Sequence, residues 1–149
     1  MSHPRPGVQE RILLHLRDYS DYTDSVEVPF ALSQMGIANA VAIARSNVPR
    51  AIAGLKDGNH LIERQAHVAG VSRKRKAYFL TDSGMVQAEE TWNRLSEHPV
   101  RLVDKEGVTH SSTLAGSIDL ATFPLRAVDV LRYMDDNGML DLRTLNEEL

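Results

Sequence analysis

The sequence predicts an α+β fold: a winged helix-turn-helix with a three-helix core and a small antiparallel sheet, followed by a C-terminal extension. Apolar residues recur at helical spacing in three segments within residues 8–57. Two strand-like segments then flank a basic run, and a new helix start follows them. We therefore expect a winged helix-turn-helix domain over residues 1–98 and an extension of a hairpin plus helices over residues 99–149.

The composition excludes several classes of protein. The chain has 149 residues and no cysteine, so neither a disulfide framework nor a thiolate metal site can form. No apolar run approaches the roughly 18 residues that a membrane helix needs. The N-terminal residues lack the apolar run of a signal peptide. These features predict a cytoplasmic protein with no membrane segment.

Catalytic and metal-binding motifs are missing from the sequence. The six histidines are scattered without ligand spacing, and no HExxH motif, P-loop or dinucleotide fingerprint occurs. Ser46 and Ser83 fit helix caps better than nucleophiles. We expect no enzymatic activity, no metal and no cofactor.

The first helix is predicted over residues 7–17. Its apolar stripe consists of Val8, Ile12, Leu13 and Leu16. After a polar loop, residues 26–28 are expected to form a short edge strand that ends at Pro29.

The second helix is expected to start near Leu32 or Ser33, with Ser33 as its N-cap. Its buried side is predicted to consist of Ile37, Ala40 and Val41. Residues 42–44 then form the turn before the third helix.

The third helix has an inward stripe with helical spacing, formed by Val48, Ala51, Ile52 and Leu55. A proline in a helix interior costs about 3 kcal/mol, whereas its missing N–H has no consequence in the first turn. Pro49 therefore predicts Ser46 as the N-cap and a helix over about residues 46–57. Asn47 and Arg50 point outward in its first turns.

The wing is predicted to consist of strands over residues 61–69 and 76–80, joined by a tip over residues 70–75. Tyr78 and Leu80 are expected to face the core, with Ala77 and Phe79 on the opposite side.

A fourth helix follows the wing, capped by Asp82 or Ser83 and ending near Ser96. Its inner side is predicted to consist of Met85, Ala88, Trp92 and Leu95.

The C-terminal region carries a hairpin pattern, with strands over residues 100–103 and 108–111. A helix is expected to start at Thr122 or Pro124 and to carry Leu125, Val128, Leu131 and Arg132. A last short helix is indicated by Leu142, Leu145 and Leu149. Because the region is acidic and short for an independent domain, we expect it to pack on the winged helix or on a second chain.

The charge distribution is strongly uneven along the chain. Residues 45–76 contain eight basic and two acidic side chains, a net charge of +6, although the whole chain has a net charge of −3. A localised basic face on an otherwise acidic protein is typical of contact with a nucleic-acid backbone. The alternative is that the basic run is only a solvated face.

The helix-turn-helix and wing also match a known sequence pattern. The matching segments are RSNVPRAI at residues 45–52, LK at 55–56, LIE at 61–63, HV at 67–68 and RKRKAYFLTDSG at 73–84. Over roughly residues 8–97, the chain resembles winged helix-turn-helix transcriptional regulators of the MarR-like and GntR-like superfamily, of archaeal type. The resemblance implies DNA binding through the third helix and the wing.

These observations predict a sequence-specific double-stranded DNA-binding transcriptional regulator that forms a homodimer. The third helix would enter the major groove, and the basic wing over residues 70–76 would hold the backbone. Asparagine and arginine match adenine and guanine edges. The predicted contacts are Arg45, Ser46, Asn47, Arg50, Lys56, Arg73, Lys74, Arg75 and Lys76.

The sequence leaves one alternative function open. The chain could be a winged-helix module for protein–protein interaction without DNA-binding activity. In that case Asn47 is a helix-start residue and Arg50 a solvated charge. The operator, the direction of regulation and any small-molecule effector are not predicted.

Overall fold

The computed structural model describes residues 6–148, apart from the side chain of Asn146. The chain divides into two compact units, one over Gly7–Thr91 and the other from Trp92 onward. None of the described helices is both long and apolar enough to cross a membrane. Leu149, predicted in the last apolar stripe, and the N-terminal residues 1–5 lie outside the described residues.

The first unit contains helices and a three-stranded sheet in the order expected for a winged helix-turn-helix. Its helices are α1 (Val8–Arg17), α2 (Gln34–Val41), α3 (Val48–Asp57) and α4 (Asp82–Leu95), the last of which extends past the division at Thr91. Its strands are β1 (Glu27–Val28), β2 (Leu61–Val68) and β3 (Lys74–Leu80). Short 3-10 turns lie at Ser20–Tyr22, Phe30–Leu32 and Arg45–Asn47. The predicted winged helix-turn-helix fold is confirmed.

Helix α1 lies at the centre of the core. Ile12, Leu13 and Leu16 are buried as predicted, and so are Leu14 and His15, which the stripe did not include. The His15 Nε2 atom lies 2.8 Å from the Ala31 carbonyl oxygen. Helix α1 is therefore covered on more sides than one amphipathic stripe predicts.

Helix α2 begins as predicted, because the Ser33 hydroxyl oxygen accepts a hydrogen bond from the Gly36 N–H at 3.1 Å. Ile37 and Val41 are buried, whereas Ala40 is only half-buried and Ala38 takes its place in the core. Ala42 ends the helix in the left-handed conformation, with φ 58°.

The sheet of this unit is mixed, and the prediction of a purely antiparallel sheet is wrong for one strand. β1 runs parallel to β2, while β2 and β3 form an antiparallel hairpin. Parallel strands need a crossover connection, and here the crossover contains α2 and α3. The predicted edge strand itself is confirmed.

Tyr78 and Leu80 of β3 are buried as predicted, and Ala77 and Phe79, on the opposite side of the strand, are buried as well. The unexpected cover comes from Arg64, whose guanidinium lies 4.3 Å from the centre of the Phe79 ring. The same guanidinium donates hydrogen bonds to the carbonyls of Tyr22, Thr23 and Ser25.

Helix α4 is capped by Thr81 rather than by the predicted Asp82 or Ser83. The Thr81 hydroxyl oxygen accepts from the Gly84 N–H at 2.9 Å and donates to the Asn59 carbonyl at 2.7 Å. A hydroxyl at this position therefore joins the helix start to the loop before β2. Of the predicted inner residues, Ala88 and Leu95 are buried, whereas Met85 and Trp92 are half-buried.

The second unit is a small α/β arrangement. Its strands are β4 (Pro99–Val103), β5 (Thr109–Thr113) and β6 (Met139–Asp141), in the order β5-β4-β6. Its remaining helices are α5 (Leu114–Leu120), α6 (Ala127–Tyr133) and α7 (Leu142–Glu148). The predicted hairpin and last helix are confirmed.

Three features of this unit differ from the sequence prediction. Helix α6 begins after Arg126, later than Thr122 or Pro124. Helix α5 and strand β6, which runs parallel to β4, had no predicted counterpart.

Asp104 closes the β4–β5 turn. Its carboxylate accepts hydrogen bonds from the His110 ring and from the N–H groups of Val108 and Glu106, and these bonds lower the pKa of the Asp104 carboxyl.

Candidate nucleic-acid interface

The residues before α3 form a 3-10 turn, and the N-cap of the helix differs from the predicted one. The chain forms a 3-10 turn over Arg45–Asn47, closed by a hydrogen bond from the Asn47 N–H to the Ala44 carbonyl at 2.9 Å. Asn47 then occupies the N-cap position, and Pro49 lies in the first turn. Ser46 is therefore not the N-cap, because the 3-10 turn occupies its place. The helix begins two residues later than the predicted 46, at Val48.

The orientation of α3 agrees with its apolar stripe. Val48, Ile52 and Leu55 are buried, and Ala51 is half-buried. Asn47 and Arg50 are exposed on the opposite side. The helix thus presents a polar first turn to solvent while its inner side anchors it in the core.

The exposed first turn of α3 borders a depression of about 630 Å³. Asn47 and Arg50 line it together with the first turn of α1, from Gly7 to Glu10, and with Ile43 and Ala51. The two candidates for reading base edges therefore share one surface.

A second depression, of about 490 Å³, brings Arg45 together with Arg75 and Lys76 of β3. Its other lining residues are Phe30, Ser33, Gln34, Met35 and Val71, and none of the described residues that line it is acidic. We name this surface the cationic groove. The groove lies between the segment before α3 and the wing. Residue spacing in the sequence alone could not show that these two segments are neighbours.

The wing differs from the prediction in where its second strand begins. β3 starts at Lys74 rather than residue 76, and it pairs with β2 from the His67–Lys74 pair onward. Lys74 and Arg75 are therefore strand residues and not part of a free tip. Gly70, with φ 80°, makes the turn at the tip, where only glycine is relaxed.

The predicted contact residues are all exposed: Arg45, Ser46, Asn47, Arg50, Lys56, Arg73, Lys74, Arg75 and Lys76. The structure brings six of the nine together. Asn47 and Arg50 share the depression beside α1, and Arg45, Arg75 and Lys76 line the cationic groove. Lys56 and Lys76 both lie close to the Glu63 carboxylate. Ser46, Arg73 and Lys74 line neither depression.

Glu63 of β2 is a residue of this surface that the sequence did not single out. One of its carboxylate oxygens lies 3.6 Å from the Lys56 Nζ atom, and the other lies 4.0 Å from the Lys76 Nζ atom. The position of Glu63 within a segment of eight basic residues is a feature of the sequence that could have indicated an ion pair. Its partners became known only from the strand register and the position of α3.

Tyr78 lies directly opposite Glu63 in the β2–β3 ladder. Its hydroxyl accepts a hydrogen bond from the Gln34 side chain at 2.9 Å. Burial raises the pKa of the Tyr78 hydroxyl, and the Glu63 carboxylate raises it further. The hydroxyl therefore stays protonated and links the start of α2 to the base of the wing.

Arg64 contributes to the positive charge of the sequence segment, but its guanidinium is occupied within the fold. It binds three backbone carbonyls and covers Phe79. The number of basic residues in the segment thus overstates the cations that are available to a ligand.

Comparison with known proteins gives a likeness to solved structures only. No family model and no curated protein matches the chain. The crystal structure of MepR, a transcription regulator of the Staphylococcus aureus multidrug efflux pump MepA, is 20% identical with a TM-score of 0.45. The alignment covers 60% of this chain and 57% of that one.

Two further S. aureus MepR structures are similar to the chain at the same level. A mutant form is 21% identical with a TM-score of 0.47, over 60% of this chain and 57% of that one. A MepR–DNA complex is 19% identical with a TM-score of 0.46, over 60% of this chain and 66% of that one. The chain therefore matches less than two thirds of each MepR chain.

Proposed function

We propose that this chain is a double-stranded DNA-binding transcriptional regulator, in which α3 reads base edges and the wing holds the phosphate backbone. The observation that carries the proposal is the cationic groove. Arg45 is at least thirty positions from Arg75 and Lys76 in the sequence, yet all three line one groove whose described lining includes no carboxylate. Phosphate contacts depend on such clustered cations.

The proposed base contacts come from the first turn of α3. Asn47 and Arg50 are exposed there, and their side chains can form the bidentate bonds that identify adenine and guanine in the major groove. Ser46 does not cap the helix, so its exposed hydroxyl can donate to a phosphate or a base. Arg73 and Lys74 extend the cationic surface toward the tip of the wing.

The motif resemblance supports a regulator of the MarR-like and GntR-like group, of archaeal type, that works in the cytoplasm. We propose that it acts as a homodimer, because a single small module buries little DNA surface and helix-turn-helix proteins commonly read two half-sites. The proposed functional division places the winged helix-turn-helix in residues 1–98 and dimerisation or regulation in residues 99–149.

The decisive test is a titration of the full chain with duplex DNA at several salt concentrations. A duplex selected from a random pool should bind more tightly than its scrambled version. Both affinities should fall linearly with salt on a log–log plot. If no duplex shows salt-dependent affinity, the DNA-binding proposal fails and the protein-interaction module becomes the better hypothesis.

The helix and the wing are expected to contribute differently to binding. The double variant Arg73→Ala, Lys74→Ala should weaken binding to selected and scrambled duplexes alike, because phosphates carry no sequence information. It should reduce the salt slope by about one unit for each phosphate that the variant no longer neutralises. Arg50→Ala should cost about 1–3 kcal/mol on the selected duplex and less on the scrambled one.

Asn47→Ala provides a further comparison in the same titrations. It should behave like Arg50→Ala if Asn47 reads a base, and like the wing variant if Asn47 contacts only a phosphate. If the wing variant no longer distinguishes the selected duplex from the scrambled one, while the Arg50→Ala variant still does, the wing reads the bases and α3 holds the backbone.

The second unit is expected to carry the dimer interface. Val108 beside β5 and Leu120 at the end of α5 are each more than half exposed, with exposed fractions of 53% and 51%. Light scattering should show a dimer for the full chain and a monomer for a chain ending at His98. If both chains are monomers, or both are dimers, residues 99–149 do not form the interface.

A further inference from the structure

Two lysines meet one carboxylate at the junction between α3 and the wing. Lys56, in the last turn of α3, and Lys76, in β3, both direct their ammonium groups at the carboxylate of Glu63. Each lysine lies near a different oxygen of that carboxylate, at 3.6 and 4.0 Å. Two cations from separate elements thus converge on one anion with two oxygens.

This arrangement contributes little to the stability of the fold. The side chains of Lys56 and Lys76 are 44% and 54% exposed, and exposed ion pairs of long side chains are weakly stabilising. The lysines are therefore free to exchange Glu63 for another anion of similar geometry. A phosphodiester has two non-bridging oxygens and would suit the same pair of ammonium groups.

We propose that Lys56 and Lys76 form a binding site for a single DNA backbone phosphate, and that the Glu63 carboxylate occupies this site in the free protein as an internal competitor. The inference rests on the proposed function and adds a residue that opposes binding. Because Glu63 stays on β2 beside both lysines, its charge opposes an arriving phosphate, and the site neutralises little phosphate charge while the carboxylate is present.

The electrostatic consequence is a defined change in affinity. Neutralising Glu63 leaves both lysines without their internal anion and removes one negative charge from the contact surface. Each additional phosphate neutralised adds about 0.9 to the log–log salt slope, which corresponds to roughly fivefold tighter binding at 0.15 M salt relative to 1 M. The effect should be the same for selected and scrambled duplexes, because a phosphate carries no sequence information.

The test compares Glu63→Gln with the unmodified full chain in the same duplex titrations. Glutamine has nearly the same size and shape as glutamate, so the local packing is retained. We expect binding to become about fivefold tighter at 0.15 M salt, with a slope steeper by about one unit. Glu90→Gln is the matched control: Glu90 is exposed on α4, and the substitution makes the same change in net charge, so its salt slope should not change.

A second set of variants tests the lysines directly. In a Lys56→Gln, Lys76→Gln background, adding Glu63→Gln should give no steepening of the slope, because the site has lost its cations. Weaker binding by Glu63→Gln would overturn the proposal, since it would mean that Glu63 orients the lysines for DNA. An unchanged slope, or an equal gain in the Glu90→Gln control, would overturn it as well.

The failure of this inference is distinguishable from failure of the proposed function. If the unmodified chain binds no duplex, the function itself is wrong. If it binds with a normal salt dependence and only the Glu63→Gln result is contrary, the function stands and the junction site is wrong. A thermal melt of each variant by circular dichroism, with Glu63→Ala as a second substitution, excludes a folding defect as the cause.

Discussion

Arg64→Ala is expected to lower the free energy of unfolding by about 2–4 kcal/mol. The guanidinium donates to the carbonyls of Tyr22, Thr23 and Ser25 at 2.6–3.2 Å and lies 4.3 Å from the Phe79 ring centre. Hydrogen bonds from a charged group contribute roughly 1.5–3 kcal/mol each, and a cation–π contact adds about 0.5–2 kcal/mol. These values are not additive within one network, so the sum is an upper limit.

The comparison of Arg64→Ala with Arg73→Ala separates fold stability from DNA binding. Urea denaturation should show the large loss for Arg64→Ala and almost none for Arg73→Ala, because Arg73 is exposed at the tip of the wing. In DNA titrations the larger effect should belong to Arg73→Ala, because only this variant should have a reduced salt slope. Arg64→Lys keeps the charge but loses the planar fork, so it should remain destabilised. A stable Arg64→Ala protein with a reduced salt slope would mean that Arg64 serves the ligand instead of the fold.

Gly36→Ala is expected to destabilise the first unit by about 2 kcal/mol. A Cβ atom at this position of α2 would collide with the Phe30 carbonyl oxygen and approach the Ala31 Cα at 2.7 Å. Both are backbone atoms, so relief requires the Phe30–Leu32 turn to move away from α2. Overpacking of this kind costs typically about 1–3 kcal/mol, which exceeds the 0.5–1 kcal/mol or so that alanine gains over glycine in a helix.

Gly54→Ala is the matched control on α3. There the added Cβ would meet the end of the Gln9 side chain, which is exposed and can rotate away. The helix preference of alanine should then dominate, and the unfolding free energy should rise by up to about 1 kcal/mol. Urea denaturation of both variants measures the difference. Equal effects at the two positions would show that the close approach of Phe30 to α2 is not rigid.

The sequence was sufficient to predict most of the first unit. Helical spacing, the Ser33 cap and the hairpin signal located α1, α2 and the wing, because these depend on local chemistry. The stripe on α3 also predicted which side of the helix is buried. Helix α3 begins later than predicted because a 3-10 turn, which is frequent at helix N-termini, precedes it.

Features that depend on distant residues could not be predicted. The parallel β1–β2 pairing, helix α5 and strand β6 are set by tertiary packing. The same is true of the candidate site. Its exposed cations followed from the sequence, but the use of Arg64 within the fold and the position of Glu63 between two lysines did not. Both depend on elements far apart in the sequence: Arg64 binds carbonyls of the loop at residues 22–25, and Glu63 lies between α3 and β3.

β3 is the outer strand of its sheet, and among the described residues the only bridge on its free side joins Ser33 to Ala77. From Lys76 to the tip, no described strand pairs with this side of β3. Lysine and arginine on an edge strand discourage such pairing, because two charged edges repel each other. We therefore expect the basic run of the wing to oppose self-association of the protein through this edge. Neutral wing variants should scatter more light at high concentration than the unmodified chain, and equal scattering would show that the edge is protected in another way.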